Sequence, residues 1–206
     1  MSDATQGSAA WLFERVGFCT ASRFGDVMAK LKNGGYKAER NNYLWELVIE
    51  RLTGQPSDHF TSSAMQWGID TEPVARMAYE AQTGAMVEAT GFLKHTMPFV
   101  GGSPDGTIGD DGGIEIKCPY NSAVHLNTVL NGMPAEHMGQ VQGLLWITGR
   151  AWWDFVSYDP RLPAHLKLYI KRVLPDAEFI ATMQAEITVF LQDVQTLVDK
   201  LGSADA

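Results

Sequence analysis

The fold is decided by the stretch GIEIKC at residues 113–118. Its apolar and charged side chains alternate, which is the pattern of a β-strand with one buried face. In such a strand Ile114 and Ile116 point into the core, whereas Glu115 and Lys117 project together from the opposite face. The sequence therefore predicts a strand that carries a carboxylate and an ammonium group side by side.

Outward from this strand, runs of helical and strand-like periodicity predict a mixed architecture. The predicted helices cover residues 20–30, 39–52, 63–83, 122–130, 135–148 and 176–201, and the predicted strands cover residues 85–95, 98–101, 107–108, 113–118, 152–158 and 166–173. This order indicates an α/β fold with a central mixed β-sheet flanked by helices. No linker divides the chain, so we predict a single domain over residues 1–206 with frayed ends at 1–8 and 202–206.

Helix 63–83 carries two further predictions. Trp67, Val74, Met77 and Ala78 are its expected inner positions. Pro73 lies well inside the helix and predicts a break or kink, because proline lacks the N–H that an interior helical residue donates.

Composition limits the classes of function. The two cysteines lack the close spacing of a zinc or redox motif, and neither a signal peptide nor an 18-residue apolar run is present, so we expect a cytoplasmic protein. The net charge of −8 argues against a nucleic-acid partner, because DNA affinity comes largely from basic side chains. A local basic surface could offset it, and the candidates lie in the first 40 residues: Arg15, Arg23, Lys30, Lys32, Lys37 and Arg40.

A second carboxylate is expected beside Glu115. The segment SPDG at residues 103–106 is predicted to form a tight turn that brings Asp105 to the strand. Two carboxylates in this arrangement suit Mg²⁺, and Lys117 could orient a water and stabilise charge on phosphorus. These are the parts of metal-assisted phosphodiester hydrolysis. Taken alone, the same residues favour a solvated polar face on a half-exposed strand.

The motifs in their order resemble the phage lambda exonuclease family (YqaJ-like alkaline exonucleases) of the PD-(D/E)xK nuclease superfamily. The resemblance rests on SPDG at 103–106, EIKCP at 115–119 and GQVQ at 139–142, and it extends to Trp11, residues 15–17 and 20–22, residues 67–76 and YDPR at 158–161.

The resemblance implies a restriction-endonuclease-like core and a Mg²⁺-dependent, processive exonuclease. Such an enzyme degrades one strand of linear double-stranded DNA from its 5′ end and leaves 3′ single-stranded tails for annealing-type recombination. It also implies two metal ions per active site, with Mn²⁺ able to substitute, a homotrimeric ring, a single-strand annealing protein as partner, no membrane, and a phage or prophage origin in a bacterial host.

Site residues follow from the same resemblance, position by position. The metal ligands would be Asp105, Glu115 and the carbonyl of Ile116; the catalytic set would add Lys117, Gln140 and Glu72; and a 5′-phosphate site would comprise Arg15, Thr20, Ser22 and Ser103. Plainer interpretations stay open: Arg15 as a surface charge, Ser22 as a helix cap, and Glu72 as a carboxylate favoured by a helix dipole. Gln140 and Gln142 occupy different helix faces, so only one is expected to reach the site.

Three other functions fit parts of the same pattern. An endonuclease of restriction or repair type could use the same core. A non-catalytic DNA-binding subunit would be expected to lack a carboxylate or the lysine, and none is missing here. An acidic protein-interaction module would bind no Mg²⁺.

Overall fold

The structure is a computed structural model that describes residues 6–57 and 61–203. The predicted frayed ends fall largely outside these ranges. Within them, the Ser8 side chain accepts from the Trp11 amide and caps the first helix, and the last helix ends at Gly202.

Seven helices and seven strands are formed by the described residues. They are α1 (Ala9–Glu14), β1 (Cys19–Thr20), α2 (Phe24–Met28), α3 (Ala38–Thr53), α4 (Ser63–Thr83), β2 (Leu93–Lys94), β3 (Val100–Gly102), β4 (Gly106–Ile108), β5 (Gly112–Lys117), α5 (Ser122–Asn131), α6 (Met138–Thr148), β6 (Trp152–Tyr158), β7 (Leu168–Val173) and α7 (Ala177–Gly202). Short 3₁₀ turns at Ala21–Arg23, Ala135–His137 and Ala164–Leu166 precede α2, α6 and β7. Among the described residues, no helix is long and apolar enough to cross a bilayer.

The strands form two mixed sheets, where the sequence had predicted one. The larger sheet has the order β4-β5-β6-β7, in which β5 is antiparallel to β4 and parallel to β6. The smaller sheet has the order β1-β3-β2, with β1 parallel to β3. β1 was not predicted because two residues are too few to show a period, and only the end of the predicted strand 85–95 is paired as β2.

Two apolar cores cover the two faces of the larger sheet. On one face Ala75 and Tyr79 of α4 pack against Ile114 and Ile116 of β5. On the other face the larger core includes Trp153 and packs beneath α3, α6 and α7. The alternation in residues 113–118 is therefore confirmed, but the face that carries Glu115 is also covered: this side chain is only 1% exposed.

The predicted inner face of α4 is confirmed at Ala78, which packs against the core, and is wrong at Val74 and Met77. Val74 and Met77 are 41% and 59% exposed, whereas the stripe facing the sheet is Thr71, Ala75 and Tyr79. The helix also runs unbroken through Pro73, which lies on its exposed side. Water can reach the carbonyl that loses its partner there, so the expected break does not occur.

The beginning of β5 is held by close packing on two tryptophans. A Cβ atom built on Gly112 would lie 2.1 Å from the Trp152 ring, and one on Gly113 would lie 2.3 Å from the Trp153 ring. Only glycine permits this approach. The contact fixes where β5 begins relative to β6, so that Glu115 lies opposite Phe155 and Lys117 opposite Ser157.

Candidate active site

Lys117, Glu115 and Gln140 form a closed triangle of hydrogen bonds at the end of β5. The Lys117 ammonium donates to Glu115 Oε1 over 2.7 Å and to Gln140 Oε1 over 3.1 Å. Gln140 in turn donates from Nε2 to the same Glu115 oxygen over 2.6 Å. Gln140 thus links α6 to both charged side chains of β5, Glu115 and Lys117. The structure brings together these three residues, as the sequence analysis expected.

Asp105 approaches β5 from the loop between β3 and β4. Its Oδ2 accepts the main-chain N–H of Ile116 over 2.6 Å. This bond continues the pairing of β4 with β5, which ends at Gly106 and Ile114. Because the N–H and C=O of one strand residue point to the same side, the Ile116 carbonyl also faces Asp105. The carboxylate is buried, 7% exposed. Asp105 therefore lies beside Glu115 as predicted, positioned by the strand's own backbone.

Helix α4 contributes Glu72 and Arg76 to the same place. Arg76 donates to the main-chain carbonyl of Asp105 over 2.6 Å and forms a 3.4 Å ion pair with Glu72. Arg76 was missing from the predicted site residues. Two signals pointed to it: its place in the segment 67–76 that carries the resemblance, and its spacing of four from Glu72, which places both on one side of a helix.

The three carboxyl groups disfavour one another's charge. Burial, reinforced by the charge of Asp105, raises the pKa of Glu115 to about 8 and that of Glu72 to about 7. Burial also raises the pKa of Asp105, although Lys117 opposes the shift. For Lys117, burial acts to lower the pKa, but Glu115 and Asp105 outweigh it and the pKa is raised. The lysine is thus held as a cation, whereas burial moves the pKa values of Glu115 and Glu72 toward or above neutral pH.

The residues fit a hard divalent cation in part. The Glu115 Oε2 atom is buried and has no hydrogen-bond partner among the described residues, a costly state that a cation would relieve. No group of three His, Cys, Asp or Glu side chains lies at metal-binding spacing within residues 6–57 and 61–203. Mg²⁺ needs no such group, since it takes one or two carboxylates and keeps waters. Asp105, Glu115 and the Ile116 carbonyl provide that set.

A second cluster lies just before Asp105 in the chain. The Ser103 hydroxyl accepts from the Trp11 indole over 2.9 Å and from the Arg15 guanidinium over 3.1 Å. The guanidinium also stacks on the Trp11 ring, 4.0 Å from its centre. Burial lowers the pKa of Arg15. Arg15 and Ser103 therefore meet, as expected, and Trp11 joins them.

Thr20, at the end of β1, and Ser22, in the 3₁₀ turn that follows it, are the other two residues of the predicted 5′-phosphate site. Their hydroxyls lie 3.4 Å apart. Thr20 is paired with Gly101 in parallel strands, so residues 21–22 and 102–103 leave the small sheet at the same edge. Thr20 stands at the N-cap of the 3₁₀ turn but makes no capping side-chain bond there. Its hydroxyl is thus not used as a cap.

The choice between the two glutamines is decided by their partners. Gln142 is 1% exposed and bonds to the Leu174 carbonyl and the Asp176 amide, both over 2.9 Å, away from the carboxylates. Gln140 alone of the pair reaches the site. His137, one turn earlier, stacks on Phe155 with the ring centres 5.2 Å apart, and burial together with Lys117 lowers its pKa to about 4.

Comparison with known proteins places this geometry in a family. Residues 10–151 match the YqaJ-like viral recombinase domain. The chain belongs to this YqaJ-like family. The match includes Arg15, Glu72, Asp105, Glu115, Lys117 and Gln140. No protein with a curated description matches the sequence.

Solved structures agree with the YqaJ-like assignment. The alkaline exonuclease LHK-Exo from Laribacter hongkongensis is 40% identical, with a TM-score of 0.87 over 95% of this chain and 96% of that one. Its complex with dAMP matches equally well, with 94% and 96% covered. A phage-related exonuclease from Haemophilus somnus is 16% identical with a TM-score of 0.69 and shows a shared fold alone. Family membership at this level supports a deoxyribonuclease of the exonuclease type.

Proposed function

We propose that this chain is a Mg²⁺-dependent exonuclease that degrades linear double-stranded DNA processively from 5′ to 3′ and leaves 3′ single-stranded tails for recombination. The observation that carries the proposal is the triangle of Lys117, Glu115 and Gln140, in which Glu115 is buried and one of its oxygens has no partner among the described residues. A solvated polar strand face would not bury Glu115.

Metal ions would be held by Asp105, Glu115 and the Ile116 carbonyl. Glu72 would add a third negative charge near the ions or hold one of their waters. The resemblance implies two Mg²⁺ ions, for which Mn²⁺ could substitute. Bound there, the ions would supply Lewis-acid polarisation of the phosphate and a water of lowered pKa.

Lys117 is proposed to hold the attacking water. Its ammonium has three N–H groups, and two of them donate to Glu115 and Gln140. The third can donate to a water or to a non-bridging phosphate oxygen, where its charge opposes the negative charge that builds on phosphorus. Gln140 fixes the lysine's direction and keeps the Glu115 carboxylate in place.

The 5′ end is proposed to bind at Arg15, Thr20, Ser22 and Ser103. A guanidinium and hydroxyl groups are suited to a terminal phosphate. Ser103 is two residues from Asp105, so a phosphate held here would fix the distance between the DNA end and the scissile bond. Partial burial of Arg15 strengthens a charged hydrogen bond, because little water competes for it.

Processivity is proposed to come from a homotrimeric ring. A ring threaded by DNA cannot dissociate easily, so a chain of net charge −8 needs less attraction to phosphate. An exposed apolar stripe on α3 supports an assembly: Trp45, Ile49 and Leu52 are 43–54% exposed at helical spacing. A single-strand annealing protein is the proposed partner, and the bacterial cytoplasm, where phage or prophage DNA ends arise, is the proposed place of action.

The test uses duplex DNA labelled at one end, with either 5′ phosphate or 5′ hydroxyl, in Mg²⁺ or EDTA. We expect Mg²⁺-dependent release of nucleotides from phosphorylated 5′ ends and no attack on nicked or closed circles, which lack a double-strand end. Lys117→Ala should abolish release without unfolding the protein. Cutting of closed circles would favour an endonuclease, and Mg²⁺-independent DNA binding without cleavage would favour a non-catalytic subunit.

A further inference from the structure

A surface pocket of about 470 Å³ lies between α4 and the segment that follows β5. Its lining is Thr61, Ser62, Ser63, Gln66, Trp67, Asp70 and Tyr120. The volume is in the range of pockets that hold small ligands. We call it the aromatic pocket, after the rings of Trp67 and Tyr120.

The rings of the aromatic pocket are held at a fixed angle. Trp67 and Tyr120 pack edge to face, with ring centres 6.2 Å apart and an interplanar angle of 83°. Tyr120 is 57% exposed, which leaves much of its ring open to solvent. Exposed aromatic faces accept flat ligands by stacking, and a nucleobase of any identity offers such a face.

The Trp67 ring packs against the guanidinium of Arg161, which is held by several hydrogen bonds. The Arg161 guanidinium lies 4.3 Å from the centre of that ring. It is fixed by both carboxylate oxygens of the buried Asp159 and by the carbonyls of Pro119 and Tyr120. The YDPR motif at residues 158–161 therefore acts as a brace for the aromatic pair.

The charge around the aromatic pocket favours a base over a phosphate. Among the described residues its lining holds no Lys or Arg side chain, its charged member is the acidic Asp70, and the nearby Arg161 is already paired with Asp159. Gln66 donates to Asp70 over 2.8 Å, so the rim carries amide, hydroxyl and carboxylate groups. These groups can hydrogen-bond to a base edge, whereas the carboxylate repels a phosphate.

The aromatic pocket also lies close to the carboxylates. Tyr120 follows Lys117 by three residues, a span of at most about 11 Å for an extended chain. Trp67 precedes Glu72 by five residues on α4, a rise of about 7.5 Å. A DNA strand with a phosphate at Asp105 and Glu115 therefore has bases within a few nucleotides of both rings.

We propose that the aromatic pocket binds a nucleobase of the DNA strand being cleaved, by stacking on the exposed Tyr120 ring, against which Trp67 stands at nearly a right angle. The proposal rests on the proposed function, since it assumes that a DNA strand reaches the carboxylates. It assigns to residues 66–70 and 120 a role in holding the substrate strand in place between successive cleavages.

Stacking is tested with 2-aminopurine, a base whose fluorescence is quenched when it stacks. Duplexes carry it at each of the first five nucleotides from the 5′ end, and binding is followed with Lys117→Ala protein in Mg²⁺ to prevent cleavage. We expect quenching at one or two neighbouring positions. Tyr120→Ala in the same background should remove it and weaken binding about 5- to 150-fold, the range for loss of one stacked base.

Two further variants separate stacking from damage to the fold. Tyr120→Phe keeps the ring and should restore both quenching and affinity. Leu130→Ala removes an 81% exposed apolar side chain at the far end of α5 and should leave both unchanged. Equal quenching and affinity in the Lys117→Ala protein with and without Tyr120→Ala would overturn the inference. If that result accompanied normal Mg²⁺-dependent digestion by the wild-type protein, the proposed function would stand without the aromatic pocket.

Discussion

Gln140 donates to Glu115 over 2.6 Å, and the acceptor is the same oxygen that receives the Lys117 ammonium. One amide side chain thus orients both the Glu115 carboxylate and the Lys117 ammonium. The bond crosses from α6 to β5, so the position of the helix controls the geometry of Glu115 and Lys117.

Replacing Gln140 by Ala is expected to lower kcat by about 10- to 100-fold, because a hydrogen bond to a charged group contributes roughly 1.5–3 kcal/mol. Thermal stability should change little, since the side chain is partly exposed. The measurement is steady-state digestion of labelled duplex together with a melting curve.

Gln142→Ala provides the matched control. It leaves the Leu174 carbonyl and the Asp176 amide without their partner, at a cost of about 1–3 kcal/mol, so the melting temperature should fall by several degrees while the folded protein keeps its kcat. The reverse pattern, with Gln142 controlling kcat and Gln140 controlling stability, would contradict the assigned roles.

Arg76 is expected to act by positioning. Arg76→Ala removes the bond to the Asp105 carbonyl and the ion pair to Glu72, so both carboxylates lose a restraint. We expect kcat to fall about tenfold or more and the Mg²⁺ concentration for half-maximal rate to rise. Arg76→Lys keeps the charge without the planar fork and should recover part of the loss. An unchanged Mg²⁺ requirement in Arg76→Ala would show that the arginine only stabilises α4.

Metal-free stability should decrease as pH rises from about 6.5 to 8. The Glu115 pKa of about 8 is far above its ordinary value, so over this window the folded state binds more protons than the unfolded state, and a rise in pH favours unfolding. The Glu72 pKa of about 7 adds to the trend. His137, whose pKa is lowered to about 4, acts in the opposite direction, but only below about 6.5.

Melting curves in EDTA and in Mg²⁺ check this dependence. Mg²⁺ must displace the protons, so its stabilising effect should grow toward alkaline pH. Glu115→Gln cannot titrate and should flatten the slope in EDTA. A melting temperature in EDTA that stays level or rises between pH 6.5 and 8 would be incompatible with raised carboxyl pKa values.

Arg15 is expected to govern the preference for a 5′ phosphate. Arg15→Ala should reduce the ratio of rates on phosphate and hydroxyl ends toward one, with a loss of about 10- to 100-fold on the phosphorylated end alone. Lys171→Ala, which removes an exposed cation on β7, is the control and should keep the ratio. Loss of rate on both ends in equal measure would assign Arg15 to general DNA attraction instead.

The central part of the site could be predicted because its signal is local. Alternation in residues 113–118 places Glu115 and Lys117 together on any strand, and the order of motifs named the family. The inner face of α4 could not be predicted the same way. Its helix carries apolar side chains on several sides, and packing on Ile114 and Ile116, rather than hydrophobicity, selected Ala75 and Tyr79.

Two other features of the site, the bond from Arg76 and the burial of Glu115, depend on long-range contacts and could not be predicted from the sequence. The bond from Arg76 to a main-chain oxygen 29 residues later depends on the path of the chain and has no residue pattern. The burial of Glu115 is similar, because α6 covers that face from 25 residues further along.

The close contact of Gly112 and Gly113 with Trp152 and Trp153 has a genetic consequence. A methyl group at Gly113 has no room beside the fully buried Trp153 ring, so β5 must shift against β6, in the extreme case by a slide of one residue. Such a slide would turn Glu115 and Lys117 toward the opposite face of the sheet. Gly113→Ala would then score as a loss-of-function allele although every catalytic side chain is intact, and mutational scans would count this glycine among the essential positions.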